Sequence, residues 1–201
     1  MNLIPNNPRR RGFTLVEMIG VLAVIAILAA LLIPKVFSTI NNARITSAAS
    51  SVKTLSTAAV GYIGKYGKYA GVAGAAVVLP VAGWDGTVLL KEGFLDKPFD
   101  TQLGTATTVN LVAVGATGAV VGSAPGTYDL SGSNANELAG AAVVELVISN
   151  VSISDAEALN LLVDSTSLAS AGAGLTDIKG KCKYAAPVGG VTDVRIYISH
   201  K

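Results

Sequence analysis

A chain of 201 residues has room for one domain with a real core and is short for two, and only 14% of its side chains are charged. Its 51% apolar content includes many alanines, 22 further positions are Gly, and only 5% of residues are aromatic, so small side chains make up much of the chain. The net charge of +2 is unevenly spread. Arg9, Arg10 and Arg11 fall in the first twelve residues, which hold no acid, and the remaining 12 basic side chains stand against 13 acidic ones, a balance of −1. Cations dispersed in this way give no electrostatic case for a nucleic-acid surface, which needs clustered Lys or Arg. Cys182 is the only cysteine, so an intrachain disulfide is excluded and a small buried side chain is the expected role.

Residues 13–33, FTLVEMIGVLAVIAILAALLI, carry one ionisable side chain and are long enough to cross a bilayer core as a helix. The three arginines before them orient the span with the leader in the cytoplasm and the rest of the chain outside. An ordinary secretory signal has a shorter apolar run of about 7 to 15 residues followed by a small-residue cleavage site. Ala29 and Ala30 mimic such a site, but the run is longer and carries Glu17 near its start. A charge at mid-membrane costs about 2.5–3.5 kcal/mol on insertion scales, so Glu17 either meets a functional partner or snorkels to the headgroups.

Residues 12–34, GFTLVEMIGVLAVIAILAALLIP, closely resemble the prepilin signature of type IV pilins, type II secretion pseudopilins and related competence filaments. The likeness covers about a tenth of the chain and joins a basic leader, Gly12 before the cut, Phe13 after it, Glu17 five positions into the mature chain and Pro34 at mature position 22. It implies cleavage between Gly12 and Phe13 by a membrane prepilin peptidase, N-methylation of Phe13, and a role for Glu17 in assembly on an inner-membrane platform. The physical logic is charge pairing: an ammonium on Phe13 is expensive in an apolar environment unless a carboxylate such as that of Glu17 neutralises it. The sequence leaves open whether that ammonium belongs to the same subunit or to its neighbour. Pro34 lacks an amide donor and should kink the helix, and the resemblance implies partial unwinding between Gly20 and Pro34 on packing into a filament. The alternative, that Pro34 ends the helix, conflicts with the helical spacing of the residues beyond it.

Past Pro34, apolar residues recur at Val36, Ile40, Ala43, Ala48, Val52, Leu55, Ala59 and Ile63, mostly three or four apart, as in an amphipathic helix with one stripe on a core. Lys35, Arg44 and Lys53 fall off that stripe. One helix is therefore expected over 13–66, ended by the glycine-rich stretch holding Gly64, Gly67, Gly71 and Gly74. The GKYGKYAG pattern, Trp84 and the Gly93-Phe94-Leu95 run weakly resemble the corresponding region of major pseudopilins; aromatics covering a small core explain them equally well.

In the outer part, β-branched runs bounded by glycine predict strands at 107–114 and 118–121. A helix is expected over 134–148, with Asn134 and Glu137 as a capping box, and a shorter one up to Val163 headed by Ser154 and Glu157. Two closing strands are expected at 180–185 and 192–199, with Val194, Ile196 and Ile198 turned inward. The fold class is α+β, pilin-like: a long N-terminal helix, its apolar half protruding, packed against a small antiparallel sheet. The segments are a leader at 1–12, the long helix at 13–66 with 13–33 as transmembrane segment and filament core, and a globular part at 67–201.

Catalysis has little support. The sole histidine, His200, stands next to the C-terminus, and no Cys or His pair has metal-ligand spacing. Asp155, Glu157, Asp164 and Asp177 lie in the third of the chain where major pseudopilins bind calcium, but they match no calcium-loop spacing, and capping or solvation suits them better. No cofactor is expected. The resemblance implies a homo-oligomeric helical filament whose precursor spans the inner membrane once before it reaches a surface pilus or a periplasmic pseudopilus. One cysteine removes the C-terminal disulfide loop of many pilins, while the Gly-, Ala-, Ser- and Thr-rich outer part favours a filament surface over a secretion piston. A plain membrane-anchored or secreted protein is the rival from outside the family.

Overall fold

A computed structural model describes residues 12–114, 120–169 and 175–201. Residues 1–11 of the leader, with its three arginines, and the first half of the strand expected at 118–121 lie outside the described residues; Val120 and Val121 belong to no strand. The chain divides into two compact units between Asn42 and Ala43.

One helix, α1 (Leu15–Tyr66), runs through both units and includes Pro34. In the first unit every residue over 12–40 is exposed, Phe13, Leu15 and Val16 to more than 70%. The most apolar 18-residue window has a mean hydropathy of 2.8 and no buried residue, so the helix is long and apolar enough to cross a membrane. In the second unit the same helix turns Ile45, Ala48, Val52, Leu55, Ala58, Ala59 and Tyr62 into the core. Of the stripe expected from sequence, Ala48, Val52, Leu55 and Ala59 are buried and Ile63 half-buried, while Ala43 is exposed, as are Val36 and Ile40 at 44% and 45%. Gly67 stops the helix in the left-handed region at φ 72°, its N–H bonded to Ile63 O at 2.7 Å.

The sheet is antiparallel throughout, with strands β1 (Val81–Ala82), β2 (Ala106–Ala113), β3 (Ala142–Ser152), β4 (Cys182–Tyr184) and β5 (Val191–His200) in the order β1-β2-β3-β5-β4. Its inner face carries Val109, Leu111, Val144, Leu146, Ile148, Val194, Ile196 and Ile198 into one cluster with the buried α1 residues. Each large aliphatic side chain so buried contributes about 1.5–3 kcal/mol. A smaller cluster of Val114, Tyr128, Leu138 and Val143 covers part of the other face. The fold is therefore α+β and pilin-like, a long helix on a five-stranded sheet.

Two expectations are corrected. The helix expected over 134–148 is instead a set of turns followed by the central strand β3. Asn134 sits at φ 65°, and its N–H bonds Asp129 Oδ2 at 2.8 Å rather than opening a helix. Six consecutive residues from Val143 to Ile148 are buried because β3 is covered on both faces, which erases the alternation that marks a strand. The helix after it, α2 (Ile153–Leu168), starts two residues earlier than expected: β3 runs straight into it, so Ser152 is the cap, accepting from Asp155 N at 3.2 Å. The strands expected at 107–114, 180–185 and 192–199 correspond to β2, β4 and β5 within a few residues.

Around the end of α1 the aromatic residues form one packed group. Trp84 is fully buried, stands edge-on to Tyr62 at 5.1 Å and to Tyr69 at 5.4 Å, and donates Nε1–H to Ala70 O at 2.9 Å. Phe94 adds a third edge contact to Tyr62 at 5.9 Å. Glu92 ties the group to the helix, accepting from Tyr66 OH, from Ala73 N and from Lys65 Nζ at 3.0 Å. Those three donors, Tyr66 first, hold its carboxyl down at about 2.

Candidate functional site

The residues singled out by sequence fall at the very start of α1. Gly12 and Phe13 precede the helix and are exposed. Thr14 and Glu17 form a reciprocal capping box. Glu17 Oε2 accepts from Thr14 N at 2.7 Å and from Thr14 Oγ1 at 2.9 Å, while Thr14 Oγ1 accepts from Glu17 N at 3.3 Å. The first helical bond runs from Met18 N to Thr14 O at 3.2 Å. A free helix start leaves amide donors bare and carries the positive end of the helix dipole, so an acid in the first turn belongs there on two counts. The box places the carboxylate on the backbone N–H of Thr14, next in the chain to Phe13.

Thr14 was missed as a functional candidate, though its signal is present in the sequence: Thr14-Leu15-Val16-Glu17 is a T-x-x-E pattern directly ahead of an apolar run. Pro34 is not part of this group, lying about 26 Å further along α1 at 1.5 Å per residue. Its missing N–H leaves the carbonyl of Ala30 without the usual helical donor.

The C-terminal acids serve the backbone. Asp164, buried, accepts from Lys181 N through Oδ1 and from Cys182 N through Oδ2, both at 2.7 Å. Gly180 lets it do so: at φ 78° this residue already favours glycine, and a Cβ there would stand 2.4 Å from the Asp164 carboxylate. Asp177 accepts from Asn160 Nδ2 at 2.7 Å and from Lys179 N at 3.0 Å. Asp155 and Glu157 lie on the first turns of α2. Among the described residues no group of three His, Cys, Asp or Glu side chains converges as a metal site would require. Cys182 is fully buried, and burial pushes its thiol well above the usual range, with the carboxylates of Asp164 and Asp177 adding to the rise. His200 is exposed and pairs through Nδ1 with Tyr197 OH at 2.6 Å.

A second polar group lies on the far face of the sheet. Glu145, fully buried on β3, binds Arg195 NH1 at 2.7 Å and accepts from Gly126 N at 2.8 Å and Tyr128 OH at 3.2 Å. Lys183, fully buried on β4, donates to the carbonyls of Val121, Ala124 and Thr127 and to Thr127 Oγ1, with its ammonium 4.5 Å from the Tyr128 ring centre. Together they strap the 121–128 loop onto the sheet. Burial brings Lys183 down to about 7, Glu145 pulling the other way.

Residues 7–33 match the family model described as the prokaryotic N-terminal methylation motif. This is the prepilin-type signature of type IV pilins and pseudopilins, and the chain carries it on a helix able to anchor a precursor in the inner membrane. The match is confined to this N-terminal segment and supports a substrate processed as prepilins are, and the family that the motif marks is a structural one. No curated protein and no solved structure matches the chain.

Proposed function

We infer that the protein is the structural subunit of a type IV pilus-like filament. A prepilin peptidase cuts between Gly12 and Phe13, Phe13 is N-methylated, and the first half of α1 leaves the inner membrane to pack into the core of a filament built from copies of this chain. The observation that carries this reading is the Thr14–Glu17 box. It holds a carboxylate on the Thr14 amide, one residue from the nitrogen where cleavage creates an ammonium, so a counter-charge for a Phe13 ammonium of the same or a neighbouring subunit stands at the helix start. Pro34 is the point at which α1 bends or loosens as the subunit packs.

Mass spectrometry of the mature protein checks the first step: an N-terminal methylated Phe13 is expected, and an uncut leader or a start near Leu31 refutes it. Shearing cells that carry Glu17→Ala checks the second. Filament yield should fall at least tenfold, and a normal yield excludes the assembly role. A pseudopilin of a type II secretion apparatus is the second reading, favoured by the Gly and Tyr pattern that leads to Trp84. Electron microscopy separates the two: long external fibres support a pilus, while their absence together with a secretion defect on deletion supports a pseudopilus.

A further inference from the structure

Within the second unit, two features flank the buried stripe of α1. On one side Val52, Lys53 and Ser56 of α1, Leu162 of α2, Lys181 and Ile198 line a crevice of about 150 Å³. Its walls are largely aliphatic, with Tyr197 the one aromatic residue, Leu162 is 53% exposed, and both charged side chains that line it are exposed lysines. On the other side the 94–100 loop, Ser51 and Thr54 line an open cavity of about 470 Å³. At 3.6 residues per turn, Ser51 and Thr54 fall roughly 180° around α1 from Val52, Lys53 and Ser56.

The loop is held at both ends. Phe94 packs against Tyr62 and lies 3.3 Å from the position a side chain at Gly61 would take, and Phe99 N donates to Asp85 Oδ2 at 2.7 Å. Between these anchors Asp96, Lys97 and Pro98 are exposed, as is Asp100 beyond them. The loop therefore exposes a stiff apolar ring flanked in sequence by two carboxylates, and the crevice offers an aliphatic lining with two lysines.

We propose that the 94–100 loop of one subunit seats in the Lys53/Lys181 crevice of the next, with Pro98 in the slot and Asp96 and Asp100 facing the two lysines. Complementary charge fixes partner and register more than it adds raw affinity, and the apolar slot supplies the buried contact. Lys97 lowers the loop's charge without reversing it. The two patches are different and lie on opposite flanks of one helix, so the contact is head to tail. Repetition of such a contact gives a ring where the rotation closes and an open helical array where it does not, and the filament reading requires the second. The inference rests on the filament reading and names the lateral contact of the outer domains within it.

The test uses the full-length chain in cells. Two tagged populations are co-expressed, one with Lys53→Cys and one with Asp96→Cys, and intact filaments are oxidised; native Cys182, fully buried, stays out of the reaction. A cross-linked dimer carrying both tags is expected, with none when either variant is paired with the wild type. Filaments that form normally with no mixed dimer, or with a Lys53→Cys homodimer alone, overturn the contact while leaving the filament reading intact. If wild-type cells make no filament by electron microscopy, both fall. In a second arm, Lys53→Glu with Lys181→Glu and Asp96→Lys with Asp100→Lys should each cut sheared filament yield about tenfold at unchanged membrane levels. Combining all four changes should restore it to within threefold, and a combined variant no better than either pair also overturns the contact.

Discussion

Thr14→Ala removes the hydroxyl that accepts from Glu17 N and donates to Glu17 Oε2, and leaves only the bond from the residue-14 N–H to that carboxylate. Thr14→Ala should destabilise the first turn by about 1 kcal/mol, read as faster amide exchange at 15–18 in detergent micelles, whereas Thr14→Ser should preserve it. Asp164 offers a pH signature. Burial chiefly lifts its carboxyl to about 6, the Lys181 and Cys182 amides working against the rise. An unfolded chain releases the same proton near 3.9, so the folded form holds it through the interval between. The group's stabilisation is complete below about pH 4 and lost as pH rises through 6, and relative to Asp164→Asn the wild type should lose roughly 2–3 kcal/mol of stability from pH 4 to 7 in urea titrations. Lys183→Met should cost about 2–4 kcal/mol by leaving the Val121, Ala124 and Thr127 carbonyls unpaired, seen as a lower urea midpoint. The Thr14 box was readable as a local four-residue pattern. The Lys183 cage was not, because its acceptors are backbone carbonyls more than 50 residues away, which no side-chain motif announces.

Among the elements, α1 was the most legible, since 21 nearly uninterrupted apolar residues and a later three-and-four spacing each speak for a helix without help from the rest of the fold. Leu55, fully buried at the centre of that stripe, should cost about 2–5 kcal/mol as Leu55→Ala, measured by thermal melting, while Thr54→Ala on the exposed flank should change stability by less than about 0.5 kcal/mol. Strand β3 was the least legible element. Val143, Val144, Leu146, Val147 and Ile148 are apolar on both faces, and Glu145, which would mark a solvent side in an ordinary strand, is buried against Arg195. Its helical appearance came from a run whose true periodicity is hidden by two covers. β5 kept its alternation because Asp193, Arg195 and Tyr197 stay partly exposed on one face, and it was recognised on that pattern.

At the scale of the molecule, the boundary between the units falls inside α1 and not at either of its ends. A chain that starts at Ala43 keeps every α1 residue of the core and should be a soluble, cooperatively unfolding monomer by sedimentation and thermal melting. One that starts at Gly67 lacks Leu55, Ala59 and Tyr62, leaves the inner face of the sheet bare, and should aggregate. Pro34 has a mechanical consequence for this arrangement. A helix pulled along its axis parts first where a rung is missing, and the Ala30 carbonyl lacks one because residue 34 has no N–H to give it. Each residue drawn out of the helix there lengthens the chain by roughly 1.8 Å, the difference between extended and helical rise. In the filament proposed above, traction would first be taken up as stretch at that rung.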